Sequence, residues 1–170
     1  FRLSLNKGRD IVTVQEEMTL VKAYLDIQQT RFQGAFETVY EVPDEALGLL
    51  IPKLTLQPIV ENALLHGLRS RTQHNGVIAI RMQVEPGEGG SRRLVIRVED
   101  NGVGIPADKL DTLLQRAEDK HSYGLYNVNE RIRLFGGEGS GLHLESAENR
   151  GTVVTIRLTP AASGEASGEA

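Results

Sequence analysis

The chain has 170 residues, of which 39% are hydrophobic, 25% charged and 5% aromatic, with a formal net charge of −4 and no cysteine. That length suits one domain with a sizeable core, and the composition excludes a collagen-like, a disulfide-stapled or a wholly disordered chain. No apolar run approaches the roughly 20 residues of a membrane span, and the mild acidity offers no electrostatic reason to expect nucleic acid as a partner.

Phe1 is not a natural start, so a fragment is expected, with any targeting or membrane segment lying upstream. Thr13-Val14-Gln15-Glu16 reads as a capping box, Thr13 being the N-cap and Glu16 its reciprocal partner. Val14, Met18, Val21, Leu25 and Phe32 follow at spacings of 4, 3, 4 and 7, an apolar stripe on a helix that Gly34 ends. Such a stripe suits a helix packed on its own domain, and equally a seam in a dimerising bundle. Residues 35–42 predict a strand and Pro43-Asp44-Glu45 a turn. A second helix is expected over 53–68, with Pro58 near the start of its regular part or at a bend, and Gly67 at its close. Asn75-Gly76 is a turn before a strand at 77–82, and the Gly-rich stretch 86–91 is a hairpin loop before a strand at 94–98. Residues 107–117 and 124–135 are helix-like, and strands are expected at 142–146 and 152–158. The tail from Pro160 holds no core formers and is expected to be disordered. Two hairpins in this order argue for a mixed sheet, not a doubly wound parallel one, with helices over one face.

Four short signals carry chemistry. Asp100-Asn101-Gly102-Val103-Gly104 ends a hydrophobic strand, so Asp100 is a carboxylate fixed where it can accept hydrogen bonds from an amino group, beside glycines that admit a ligand to the backbone. The same residues also read as a plain Asp-Asn-Gly turn. They form neither a P-loop, since no Gly-Lys-Ser/Thr follows, nor a dinucleotide fingerprint. Asn62 and His66, four apart on an otherwise apolar helix, share a face. They satisfy each other or nearby backbone, or else the Asn62 carbonyl serves as a hard oxygen ligand for Mg²⁺. Ser122-Tyr123-Gly124-Leu125 opens a helix whose free amides suit an anion, and the charged stretch 111–121 before it reads as a mobile lid or a surface loop. Gly151-Thr152 places a hydroxyl at a strand start, or is simply a turn before a β-branched residue.

In this order and spacing the four signals closely resemble the ATP-binding domain of the GHKL superfamily, which includes gyrase, MutL and the histidine kinases. The run from Leu56 to Gly67, Leu-Gln-Pro-Ile-Val-Glu-Asn-Ala-Leu-Leu-His-Gly, resembles the N box of LytS/YehU-type sensor histidine kinases. Asp100-Asn101-Gly102-Val103-Gly104-Ile105-Pro106 resembles the G1 box, the run from Gly124 to Ile132 the G2 box, and Gly151-Thr152 the closing Gly-Thr element. Tyr24 to Phe32 resembles the segment leading into this domain.

The resemblance implies an α+β fold, the two-layer α/β sandwich known as the Bergerat ATP-binding fold, with a mixed sheet covered by helices on one face. It divides the chain into a connector helix over 1–34, the C-terminal part of a dimerisation and phosphoacceptor region, then a catalytic domain over 35–159 and a tail over 160–170. It implies ATP and Mg²⁺ as the bound groups. Asp100 would accept the adenine amino group, with Gly102 and Gly104 shaping the floor beside it and Thr152 supporting that end. Asn62 would hold Mg²⁺, and with Glu61 and His66 it makes up the catalytic set. Gly124 and Leu125 would start the helix whose amides face the phosphates, and Ile105 and Asn127 complete the nucleotide-contacting set. The lid would run over 107–123. Ser122 stands where the family usually has glycine. Pro58 stands where hydrolytic members carry a Glu that activates water, which favours the kinase branch. None of His66, His74, His121 and His143 has the Pro-His-Phe context of the LytS-type phosphoacceptor.

The implied function is the catalytic domain of a membrane-anchored, two-component sensor histidine kinase. It would face the cytoplasm, dimerise in the full-length protein, donate the γ-phosphate to an upstream histidine and serve a response regulator. The alternatives are a nucleotide-binding regulatory module without kinase activity and an anti-sigma-factor-type serine kinase. Tyr24 to Phe32 argues against the second of these.

Overall fold

A computed structural model describes residues 10–68, 75–110, 112–114 and 123–161. Alternation of apolar and polar residues builds the central sheet. Its strands are β2 (Phe36–Glu41), β4 (Gly76–Pro86), β5 (Arg92–Asp100), β6 (Gly141–Ala147) and β7 (Gly151–Leu158), in the order β2-β4-β5-β7-β6. β2 runs parallel to β4 and the other pairs are antiparallel, so the sheet is mixed. The register stacks inward residues across strands: Ile80 opposite Val98, Ile96 opposite Ile156, Val154 opposite Leu144. All six are buried. The outer face carries a surface ladder in which Arg81 bonds Glu41 (3.0 Å) and Glu99 (2.5 Å), and Arg97 bonds Glu99 (3.1 Å). Exposed pairs of this kind add little stability.

Helices cover the inner face. α1 (Val14–Arg31) starts at the expected capping box: the Thr13 hydroxyl accepts the Glu16 N–H (3.1 Å), and the Glu16 carboxylate accepts the Thr13 N–H (2.8 Å). Its stripe of Val14, Met18, Val21 and Leu25 is buried in the domain's own core, which favours the first of the two readings of that stripe. A short helical turn, α2 (Asp44–Leu47), replaces the plain turn expected after Pro43. Two short strands, β1 (Ile11–Thr13) and β3 (Leu50–Pro52), pair antiparallel outside the main sheet. Three residues carry no readable period, so neither strand was foreseen.

The helix expected over 53–68 is shorter. α3 (Gln57–Asn62) has Pro58 in its first turn, where a missing N–H costs nothing. It continues as a π-helical segment, Ala63–Leu68. Residues 53–56 form a turn with Leu54 at φ 59. The helix-like stretch 107–117 is helical at α4 (Ala107–Leu110), and part of the remainder lies outside the described residues. α5 (Tyr123–Gly136) packs Leu125, Val128 and Ile132 into the core. Of the tail, Ala161 bridges to Leu50, and residues 162–170 lie outside the described set.

Ile80 is fully buried at the centre of the sheet, so Ile80→Ala lowers unfolding free energy by about 2–5 kcal/mol, read by urea denaturation. Burial first, and then the Glu61 carboxylate, raise the Tyr24 phenol above its ordinary 10.0. The folded state therefore holds that proton more tightly than the unfolded one. Its contribution is intact below the ordinary phenol value and is lost as pH rises through the raised one. Denaturation curves across that alkaline range show a shallower loss for Tyr24→Phe than for the wild type; identical slopes would remove Tyr24 as the cause.

Candidate functional site

Between the sheet and its helices lies a cavity of about 490 Å³. Its walls are mostly apolar, from Ile59 and Ala63 beside α3, Val98 of β5, Val154 of β7, Leu113, and Leu125 of α5. The polar lining consists of Asn62, His66, Asp100, Lys109, Thr112 and Thr152. A mostly apolar concavity with a few convergent polar groups is the usual form of a small-molecule site.

Strand register assembles one end. Asp100 is the last residue of β5 and sits opposite Thr152 of β7, which in turn faces Ser146 of β6. The Gly102 N–H donates to Asp100 Oδ1 (2.8 Å), orienting the carboxylate. Ser146 Oγ accepts the Ile105 N–H (2.8 Å), donates to the Gly151 carbonyl (2.7 Å) and lies 2.9 Å from Thr152 Oγ1. A serine hydroxyl has one proton. Since Gly151 takes it, Thr152 donates to Ser146, and the Thr152 oxygen keeps its lone pairs for a ligand. Asp100 and Thr152 thus form a pair of acceptors.

The helix layer supplies the rest. Asn62 ends α3, and His66 lies one turn on in the π-helical segment. Gly67 then meets the turn after β5. A Cβ on Gly67 would stand 2.6 Å from Asp100 Oδ1, and one on Gly102 would stand 2.2 Å from the Gly67 carbonyl oxygen. That carbonyl accepts the Val103 N–H at 3.0 Å. Gly104 adopts φ 70 and packs against the Ala147 carbonyl, where any side chain would collide. Asn101 turns outward: its Oδ1 accepts the Val77 N–H (2.8 Å) and its Nδ2 donates to the Asn75 carbonyl (2.9 Å). The start of α5 lies against the first turn of α3, with Gly124 beside Pro58.

Of the residues singled out from sequence, Asn62, His66, Asp100, Gly104, Ile105, Leu125 and Thr152 line one cavity. Glu61, Gly102, Gly124 and Asn127 are not among its lining residues. Glu61 follows a different direction around the helix from Asn62, accepting from Gln57 Nε2 at 3.1 Å, near Tyr24 of α1. Gly102 acts by admitting Gly67. Asn127 is two residues past Leu125, about 200° around the helix, and is exposed. Ser122, His74 and His121 lie outside the described residues, as does much of the expected lid. Sequence reasoning placed Lys109, Thr112 and Leu113 only within the expected lid over 107–123, without singling them out, and it missed Ser146 altogether. Each is a single common residue with no pattern of its own, and Ser146 reaches the site only through strand register.

Comparison with known proteins identifies the family. A family model described as histidine kinase-, DNA gyrase B-, and HSP90-like ATPase matches residues 52–162, and one described as histidine kinase matches residues 1–36. The chain is 38% identical over 157 residues to the sensor histidine kinase YesM of Bacillus subtilis, covering 92% of this chain and 25% of that protein. It is 33% identical over 158 residues to the sensor protein LytS of Staphylococcus epidermidis, covering 90% of this chain and 26% of that protein. The chain thus spans about a quarter of the length of these relatives. Among solved structures, the catalytic domain of the histidine kinase ThkA shares the fold with a TM-score of 0.63 at 16% identity, over 89% of this chain and 97% of that one. The mycobacterial sensor histidine kinase MprB does so with a TM-score of 0.59 at 19% identity, over 88% and 96%. The mixed sheet under its helices and the family match over residues 52–162 together place this chain in the histidine kinase-, DNA gyrase B- and HSP90-like ATPase family.

Proposed function

We propose that the cavity takes ATP with Mg²⁺ and that this chain presents the γ-phosphate to a histidine on a segment outside it. The observation that carries the reading is the acceptor pair of Asp100 and Thr152, side by side across β5 and β7. Two acceptors call for a donor, and the amino group of adenine is one, whereas the carbonyl that guanine carries in its place is not. The apolar walls from Ile59, Val98, Val154 and Leu113 suit a flat base. They also keep water from competing for Asp100.

From that end the helix leads towards the phosphates. Asn62 precedes Gly67 by five residues, and the start of α5 lies beside Pro58, a further turn away. Asn62 offers a hard carboxamide oxygen, and the α5 start offers amides without helical partners. Among the described residues no group of three His, Cys, Asp or Glu side chains gathers to hold a metal. Asn62 would hold Mg²⁺ brought by the nucleotide. Bound Mg²⁺ would neutralise phosphate charge. Lys109, which also lines the cavity, adds a positive charge from the lid side.

Phosphoryl transfer is mostly a matter of positioning and charge neutralisation. The bond from the γ-phosphorus to the bridging oxygen breaks, ADP leaves, and a P–N bond forms to an imidazole nitrogen. Pro58 stands where a water-activating carboxylate would be needed, which disfavours hydrolysis. In the intact protein this domain works as a dimer on the cytoplasmic side of a membrane sensor and serves a response regulator. Among the described residues no helix is long and apolar enough to cross a membrane.

Saturation with Mg-ATP at about 100 times its Kd adds roughly 2.7 kcal/mol, a rise in Tm on the order of 5–10 °C. Asp100→Asn abolishes that rise. No shift at millimolar ATP overturns the reading. Asn62→Ala leaves a nucleotide-induced shift that no longer depends on Mg²⁺; an unchanged Mg²⁺ dependence moves the metal site elsewhere. Mixing the chain with a fragment bearing the LytS-type Pro-His-Phe histidine yields acid-labile phosphate on that fragment. Binding without transfer would make the chain a regulatory nucleotide module.

A further inference from the structure

Helix α1 does not line the cavity, yet it holds the turn from which the cavity's main helix starts. Glu17, only 2% exposed, accepts the Leu54 N–H on one carboxylate oxygen (2.7 Å) and the Leu56 N–H on the other (3.1 Å). The carbonyls of the same turn are taken from α5, where Arg131 Nη1 donates to Lys53 O (2.6 Å) and Leu54 O (3.1 Å). α3 has no side-chain cap from its own sequence, so Glu17 serves that end from another helix. Between the two clamps Leu54 stands at φ 59 and is 40% exposed. A branched residue in the left-handed region, gaining little from burial, persists only where its surroundings over-determine it.

The turn at 53–56 is thus a common anchor for three helices, two of which reach the cavity. Asn62 lies six residues beyond Leu56, and Leu125 six residues before Arg131, each about 9 Å along its helix. A buried carboxylate with two N–H partners tolerates little displacement, because hydrogen bonds weaken steeply with distance and angle.

We propose that Glu17 is a positioning residue for the nucleotide site, and that docking of α1 and occupancy of the cavity are linked through it. The linkage rests on the nucleotide reading given above; the clamp itself does not. When α1 sits in place, the turn is held, and with it the helices that bring Asn62 and Leu125 to the cavity. When α1 shifts, both bonds to Glu17 break and the start of α3 is released. Linkage is reciprocal, so a bound nucleotide also stabilises α1.

Amide hydrogen exchange and Mg-ATP calorimetry on the 170-residue chain test both halves. Without nucleotide, Glu17→Gln raises exchange at one or both of the Leu54 and Leu56 amides by about tenfold or more, because only one of its side-chain oxygens remains to accept. Equal protection in the two proteins overturns the clamp whether or not ATP binds. Glu17→Gln also weakens Mg-ATP binding by about tenfold; an unchanged Kd with lost protection overturns the linkage. Adding Leu54→Gly to Glu17→Gln recovers part of the affinity, since glycine takes the left-handed conformation freely. It recovers none after Met18→Ala, which loosens α1 by packing alone; equal recovery in both backgrounds assigns Glu17 a purely structural role and overturns the proposal. In the unmutated chain, saturating Mg-ATP slows exchange along α1 and at Leu54 and Leu56, and the absence of slowing overturns the linkage without any variant. A wild type that binds no Mg-ATP removes the nucleotide reading and the linkage with it, while the exchange data still decide the clamp.

Discussion

Two backbones meet at Gly67 and Gly102 with no side chain between them, and the site depends on that contact. Either Cβ would intrude, at 2.6 Å from Asp100 Oδ1 in one case and 2.2 Å from the Gly67 carbonyl in the other. The hydrogen bond from Val103 N–H to Gly67 O closes the gap between the helix layer and the sheet. With the layers joined there, the carboxylate at the end of β5 and the carboxamide at the end of α3 open into one cavity. Wider separation would let water in and dilute the electrostatic effect of both groups.

The core sets the other boundary. Inward residues of β4, β5 and β7 pack against stripes from α1, α3 and α5, so each helix presents one face to the core. Beyond that packing, polar groups decide where the helices begin. Glu17 accepts the Leu54 and Leu56 amides of the turn at 53–56, and Arg131 donates to its Lys53 and Leu54 carbonyls. The left-handed Leu54 in that turn is held by both. A buried carboxylate and a guanidinium therefore tie α1 and α5 to the start of α3, and they link an element outside the cavity to two elements that form it.

Much of this was legible in the chain. The capping box at Thr13 and Glu16 is a local device, and its two hydrogen bonds appear as the spacing requires. Strands β4, β5, β6 and β7 have enough residues for alternation to show. Pro58 sits in the first turn of α3 because proline lacks the N–H that an interior position needs. What could not be read was short or depended on distant partners. β1 and β3 have three residues each. The turn at 53–56 looks like helix locally, since Lys, Leu and Leu all favour one, and contacts from outside it, those of Glu17 and Arg131 among them, turn it aside. The orientation of Thr152 depends on the proton of Ser146, whose place opposite it follows from the β6–β7 register.

The sequence by itself determined the element types over the longer segments, the inward faces, and the residues of each chemical signal. Local propensity and periodicity encode those features within a few turns of chain. Tertiary structure alone decided that Asn62, Asp100 and Thr152 share a cavity, that Glu61 and Asn127 do not line it, and that α1 clamps the turn before α3. Those outcomes depend on contacts between residues dozens of positions apart, such as Leu54 with Glu17 and Lys53 with Arg131. No local spacing expresses them, because the energies involved arise only once the layers have packed and excluded water.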